Sequence, residues 1–138
     1  MVSFLSFYIV PKRKSQKEPK KYILLLTFPS ISDIYQYFYE NIDIAGIGDQ
    51  KDYTVLTSDD VHKVWKDISS NISSSEKRLR ELEKYAAKNP DYINEILTLK
   101  EFISDLQYTK HQTEFIETLI EGADFYGKIE EICCNIRY

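Results

Sequence analysis

Thr57 opens a long amphipathic helix, and Asn89-Pro90-Asp91 turns the chain back into another. Thr57 has the chemistry of an N-cap, Asp60 stands three residues on to answer it, and Leu56 and Val61 are spaced as a hydrophobic staple. From there Trp65, Ile68, Ile72, Leu79, Leu82 and Ala86 recur in steps of 4 and 3, with Ser75 in the missing slot, the period of a coiled-coil seam. The serines between Asn71 and Ser75 weaken the middle of this helix, because their hydroxyls compete for backbone hydrogen bonds. Pro90 disfavours helical geometry in Asn89 and suits the first turn of the next helix, and so short a turn permits only an antiparallel return.

In the returning helix Ile96, Leu99, Ile103 and Leu106 share a face. After Lys110 the stripe resumes in shifted phase as Phe115, Leu119, Gly122, Tyr126, Ile129, Cys133 and Ile136, so helix is expected to the end, bent or broken near residues 122–127 by Gly122 and Gly127.

Residues 1–56 have a different texture. Phe4 to Val10 and Tyr22 to Phe28 are apolar and aromatic runs that predict strands, joined by PKRKSQKEPKK, whose prolines and like charges cannot bury a face. The pair reads as an antiparallel hairpin with a solvated, mobile loop. Ser30 is placed to cap a short helix carrying Ile31, Ile34, Tyr35, Phe38 and Ile42, with Asp33 in its first turn. The stretch AGIGD ends that helix, and Gly46-Ile47-Gly48-Asp49 reads as a turn, since it precedes a strand and not the helix that a phosphate-cradling loop requires. Asp52 to Leu56 predicts a third strand, at a sheet edge. The expected class is α+β in the order ββαβαα: a small antiparallel sheet with one short helix over residues 1–56, then a helical hairpin over residues 57–138, in a single domain. With 138 residues, 43% of them hydrophobic, one ordinary core can form without staples.

Charge and cysteine usage narrow the function. The net charge is −4, yet Lys12, Arg13, Lys14, Lys17, Lys20 and Lys21 sit together with Glu18 as the one acid before residue 29, which leaves the remainder strongly acidic. Nucleic acid would be repelled by most of such a surface and held only at the basic loop. Cys133 and Cys134 are the two cysteines, adjacent and so poorly placed for a mutual disulfide, which favours a reducing, cytoplasmic setting. On a helix they project about 100° apart, one into the seam and one outward. No run approaches the roughly 20 apolar residues of a membrane span, and the apolar start carries no signal-peptide features. The surplus of Ile (17), Lys (14) and Tyr (11) reflects AT-rich coding, shared by many bacteria and their phages.

The chemistry-bearing residues form no catalytic set. His62 follows Asp59 and Asp60, and His111 lies three before Glu114, but neither has the paired spacing of a metal site, so no metal and no cofactor is expected. A nucleophile needs a base and a group to orient it, and none is readable. Glu130 and Glu131 read as solvated charge. Two candidate surfaces remain. One is the basic loop, whose Lys12, Arg13, Lys14, Lys17, Lys20 and Lys21 could wrap phosphates of a nucleic acid or a small ligand. The other is surplus apolar helix: helices of about 30 and 45 residues would reach roughly 45 to 65 Å, against strands near 20 Å. Tyr37, crowded with Tyr35, Phe38 and Tyr39 but off the stripe, joins Trp65, Ile68, Ile72, Leu79, Leu82, Phe115, Leu119 and Tyr126 as the candidate interface. The expectation is a non-enzymatic assembly protein, self-associating through its helices or binding another protein, such as a small phage or mobile-element accessory.

Overall fold

The computed structural model describes residues 2–46 and 52–137, apart from the side chains of residues 124–126. The turn expected at Gly46-Ile47-Gly48-Asp49 therefore lies largely outside the described residues, as does the side chain of Tyr126. The elements are β1 (Phe4–Pro11), β2 (Ile23–Pro29), α1 (Asp33–Asn41), β3 (Thr54–Val55), α2 (Ser58–Ala86), a single 3-10 turn (Pro90–Tyr92), α3 (Ile93–Tyr126) and β4 (Ile129–Arg137). The α+β class and the ββαβαα order hold, with a fourth strand after the second long helix. All strands pair antiparallel in the order β2-β1-β4-β3, with the expected third strand, cut to two residues, at the edge.

Residues 129–137 form this fourth strand, correcting the expectation of helix to residue 136. Ile129, Cys133 and Ile136 fit helical steps, but Ile132, Cys134 and Ile136 fit the two-residue step of a strand equally well. Gly127 decides between them: at φ 64 it takes the left-handed conformation and caps α3, its N–H bonding the carbonyl of Ala123. The freed segment then pairs along β1 from Phe4↔Arg137 to Pro11↔Ile129. The two cysteines consequently do not divide between seam and solvent. Neighbours on a strand face opposite sides of the sheet, and both are buried there.

The helix starts follow local chemistry to different degrees. At α2 the capping box is complete: the Thr57 hydroxyl accepts from the Asp60 N–H at 3.2 Å, and the Asp60 carboxylate accepts from the Thr57 N–H at 3.1 Å. Leu56 and Val61 are both buried beside it. At α1 the cap is Ser32 and not Ser30, because the Ser32 N–H and hydroxyl both donate to the Pro29 carbonyl and hold a turn that delays the helix. Ile31, left in that turn, is exposed.

One face of the sheet carries the main core. Phe7 meets Phe28 and Phe38 edge-on at 5.9 and 5.2 Å, the favoured geometry for aromatic quadrupoles. Leu5, Ile132, Cys134 and Ile136 join them under Val61, Val64, Ile68 and Ile72 of α2 and Leu106, Ile116, Ile120 and Ala123 of α3. The α3 stripe does not shift phase after Lys110. It runs on through Thr109 and Thr113, buried polar residues whose hydroxyls donate to the carbonyls of Asp105 and Thr109 and so leave their methyls free to pack. The stripe predicted through Phe115 therefore lies on the wrong face: Phe115 is exposed, while Ile116 and Ile120 point inward.

The helices have 29 and 34 residues, about 43 and 51 Å at 1.5 Å per residue. Leu82, Ile96 and Ile103 are buried outside the main core, so the far end of the hairpin makes its own narrow seam and projects past the sheet as an arm.

The two glycines of this region should respond oppositely to alanine. Gly122 lies within α3 and an added Cβ meets nothing within 4 Å, so Gly122→Ala should stabilise the fold by about 0.5 to 1 kcal/mol. Gly127→Ala should destabilise it by about 1 kcal/mol or more, because its positive φ strains any L side chain. Urea midpoints of the two variants measure both signs; a gain from each would contradict the helix end at Gly127.

Candidate functional site

The basic loop is folded back on β4. Arg13 is its centre: the guanidinium donates to the Glu130 carboxylate at 3.1 Å and to the carbonyls of Gln16 and Glu18, closing the loop upon itself. Lys20 reaches Glu131 at 2.6 Å, and this hydrogen bond raises the lysine above its ordinary pKa, against a smaller opposing effect of burial. Glu130 and Glu131 are thus the loop's anchors and not free surface charge. Lys12, Lys14, Lys17 and Lys21 stay exposed, with no ion pair among the described residues.

Beside Lys20 the sheet face away from the helices holds a cleft of about 660 Å3. Tyr22 and Tyr53 line it, stacked with ring centroids 3.6 Å apart, and Tyr8 meets Tyr53 edge-on at 5.1 Å. Arg137 lies over Tyr8 and Tyr53 and donates to the Tyr53 hydroxyl at 3.0 Å. Burial pushes the Tyr22 hydroxyl above its ordinary pKa. The aromatic rings here already satisfy one another and the arginine. They form a second small core on this face, in which Tyr8, Val10, Cys133 and Asn135 are buried, so no flat platform is left for stacking bases.

Cys133 forms part of that cleft, yet it is not activated. Burial, with the Glu131 carboxylate 3.5 Å away, pushes its thiol up to about 12, and burial raises Cys134 further still. The histidines lie elsewhere: His62 is 4.0 Å from Glu117 and His111 is 3.5 Å from Glu114, both rings well exposed on the helices. Among the described residues no three His, Cys, Asp or Glu side chains gather as a metal site. No helix there is long and apolar enough to cross a membrane.

The candidate interface residues divide into three groups. Ile68, Ile72 and Leu82 are buried within the chain, and Leu79 and Leu119 are half-buried, which removes them from any open contact surface. Tyr37 and Trp65 act as internal clasps. The Tyr37 hydroxyl accepts from Asn71 at 2.7 Å, tying α1 to α2. The Trp65 ring N–H donates to Glu114 at 3.1 Å, with His62 stacked on the indole and Lys110 over it, tying α2 to α3. Among the described residues of the set, Phe115 alone stays open to solvent. Among the exposed apolar side chains that sequence reasoning missed, Leu97 and Tyr108 share its side of α3 but break the inward stripe, while Ile93 and Phe102 are exposed elsewhere on the same helix. Their signal was present as a second stripe, at steps that place 97, 108 and 115 opposite the core.

No protein family model matches this chain, and neither the curated proteins nor the solved structures contain a significant relative.

Buried, protonated thiols make a chemical prediction. Iodoacetamide at pH 8 should leave both cysteines unmodified in the native protein and label both after unfolding, read by mass spectrometry. The native thiols hold their protons to higher pH than the unfolded chain does. Stability from this source is therefore complete below the ordinary thiol pKa of about 8.5 and falls as pH rises above it, by up to about 1.4 kcal/mol per unit for each thiol. Cys133→Ala with Cys134→Ala should flatten that alkaline decline in urea melts.

Proposed function

We propose that this is a non-enzymatic interaction protein that assembles with itself through the outward face of its helical hairpin. One observation carries the reading. Leu97, Tyr108 and Phe115 lie 58%, 66% and 52% exposed along the outer side of α3, where a lone hairpin would place charge. The projecting arm supports it too, since Tyr85 and Ile93 at its tip are also largely uncovered. With both thiols free we place the protein in the cytoplasm, and a small phage or mobile-element accessory would fit its AT-rich residue usage. Sedimentation velocity should give a mass above the 16.3 kDa of one chain, returning to that value in Leu97→Glu. A wild type that sediments as a monomer throughout the micromolar range refutes the proposal.

A second reading rests on the four exposed lysines, Lys12, Lys14, Lys17 and Lys21, which crowd one loop tip and could hold a phosphate-bearing ligand. Binding of a short labelled single-stranded oligonucleotide should then weaken with salt at a log–log slope of about −0.7 per phosphate neutralised, and vanish when all four become alanine. A salt-independent or unaltered affinity rules it out.

A further inference from the structure

The outer side of α3 is patterned for one occupant. Leu97, Glu101, Ser104, Tyr108, His111 and Phe115 are all exposed and succeed each other at steps of 4, 3, 4, 3 and 4. That is the period of a coiled-coil seam, on the side of the helix opposite the one that packs on α2. The intramolecular seam of Ile96, Leu99, Ile103 and Leu106 is already filled, so this second seam has no use within the described chain.

The spacing along the seam, 4, 3, 4, 3 and 4, reads the same way from either end, and the residues at mirrored positions are complementary. Placed antiparallel to a copy of itself, with a two-fold axis level with Leu106, the helix sets each seam residue beside the one equally far on the other side of that level. Leu97 of one copy then lies beside Phe115 of the other, apolar on apolar. Glu101 lies beside His111, an acceptor beside a donor that becomes a cation on protonation. Ser104 lies beside Tyr108, a small side chain making room for a large one. Each contact occurs twice, as an isologous two-fold interface requires.

We infer that α3 dimerises with a second copy of this chain through an antiparallel seam in which Leu97 packs on Phe115 and Glu101 pairs with His111. The inference rests on the self-association proposed above and specifies its partner and register. The seam from Leu97 to Phe115 is about 27 Å long at 1.5 Å per residue. It accounts for the projecting arm: Leu97 belongs to the arm and Phe115 to the part of α3 over the sheet, so each arm would lie along the body of the other copy. His111 also has Glu114 of its own helix 3.5 Å away, and that contact turns the ring without occupying both of its nitrogens.

A charge exchange tests the register on the full chain. Glu101→Arg should raise the dimer dissociation constant about tenfold, a loss of about 1.4 kcal/mol spread over the two symmetric contacts. His111→Glu should do the same, and the double variant Glu101→Arg, His111→Glu should return to within about threefold of wild type, about 0.7 kcal/mol. Both side chains are exposed, so circular dichroism should stay unchanged and report any variant that misfolds. As a second measurement, Glu101→Cys with His111→Cys should give a disulfide-linked dimer under mild oxidation, while Glu101→Cys alone should not. A dimer whose affinity ignores these substitutions, or is weakened by both singles and not rescued by the double, overturns this register and leaves self-association through another surface standing. A monomeric wild type overturns both.

Discussion

The pairing of β1 with β4 is the contact on which the other elements depend. β4 fills the place between β1 and the two-residue β3, and without it the sheet would be a lone hairpin, marginal in water. Because β4 is reached only after α2 and α3 have run out and back, its pairing also lays the helical hairpin across the sheet and sets which helix faces turn inward. Phe7 on β1 and Cys134 on β4, partners in register, share the floor on which Phe38, Ile68 and Leu106 rest.

This dependence explains the behaviour of the charged loop. Six cations close together would repel one another, but Arg13 and Lys20 meet adjacent glutamates at the start of β4, where the β1–β4 register shifts. The loop therefore holds the start of β4 at two successive residues. The half-buried Arg13 pair, supported by further hydrogen bonds to Gln16 and Glu18, is the kind of multidentate contact that outlasts an isolated surface ion pair. What looked like a ligand-binding tip serves first as a clasp for the central strand, and the cleft beside it is furnished with tyrosines that satisfy each other.

The helices show the complementary case, apolar surface that the single chain does not use. Among the described residues, the main core takes in α2 from Val61 to Ile72 and α3 from Leu106 to Ala123. Beyond that the helices can shield only each other, and two helices have too little mutual surface to hide side chains on their outer sides. Leu97, Tyr108 and Phe115 are therefore left exposed on the outer side of α3, and this is the surface on which the proposed self-association rests.

The sequence by itself determined whatever depends on near neighbours. The Thr57–Asp60 capping box, the Asn89-Pro90 turn, the β1–β2 hairpin and the inward stripe from Ile96 to Leu106 are set by hydrogen bonds and periodicities spanning a few residues, and all of them are found in the structure. Tertiary structure alone decided the rest. Ile129 to Arg137 satisfies helix and strand periods alike: Gly127 ends the helix before it, and the open edge of β1, more than a hundred residues earlier, takes it up as strand. Thr109 and Thr113 look polar in sequence and become core once their hydroxyls bond the preceding turn. Glu130, Glu131, Tyr37 and Trp65 gained their roles from partners distant along the chain, and such partners are brought close only by the folded backbone.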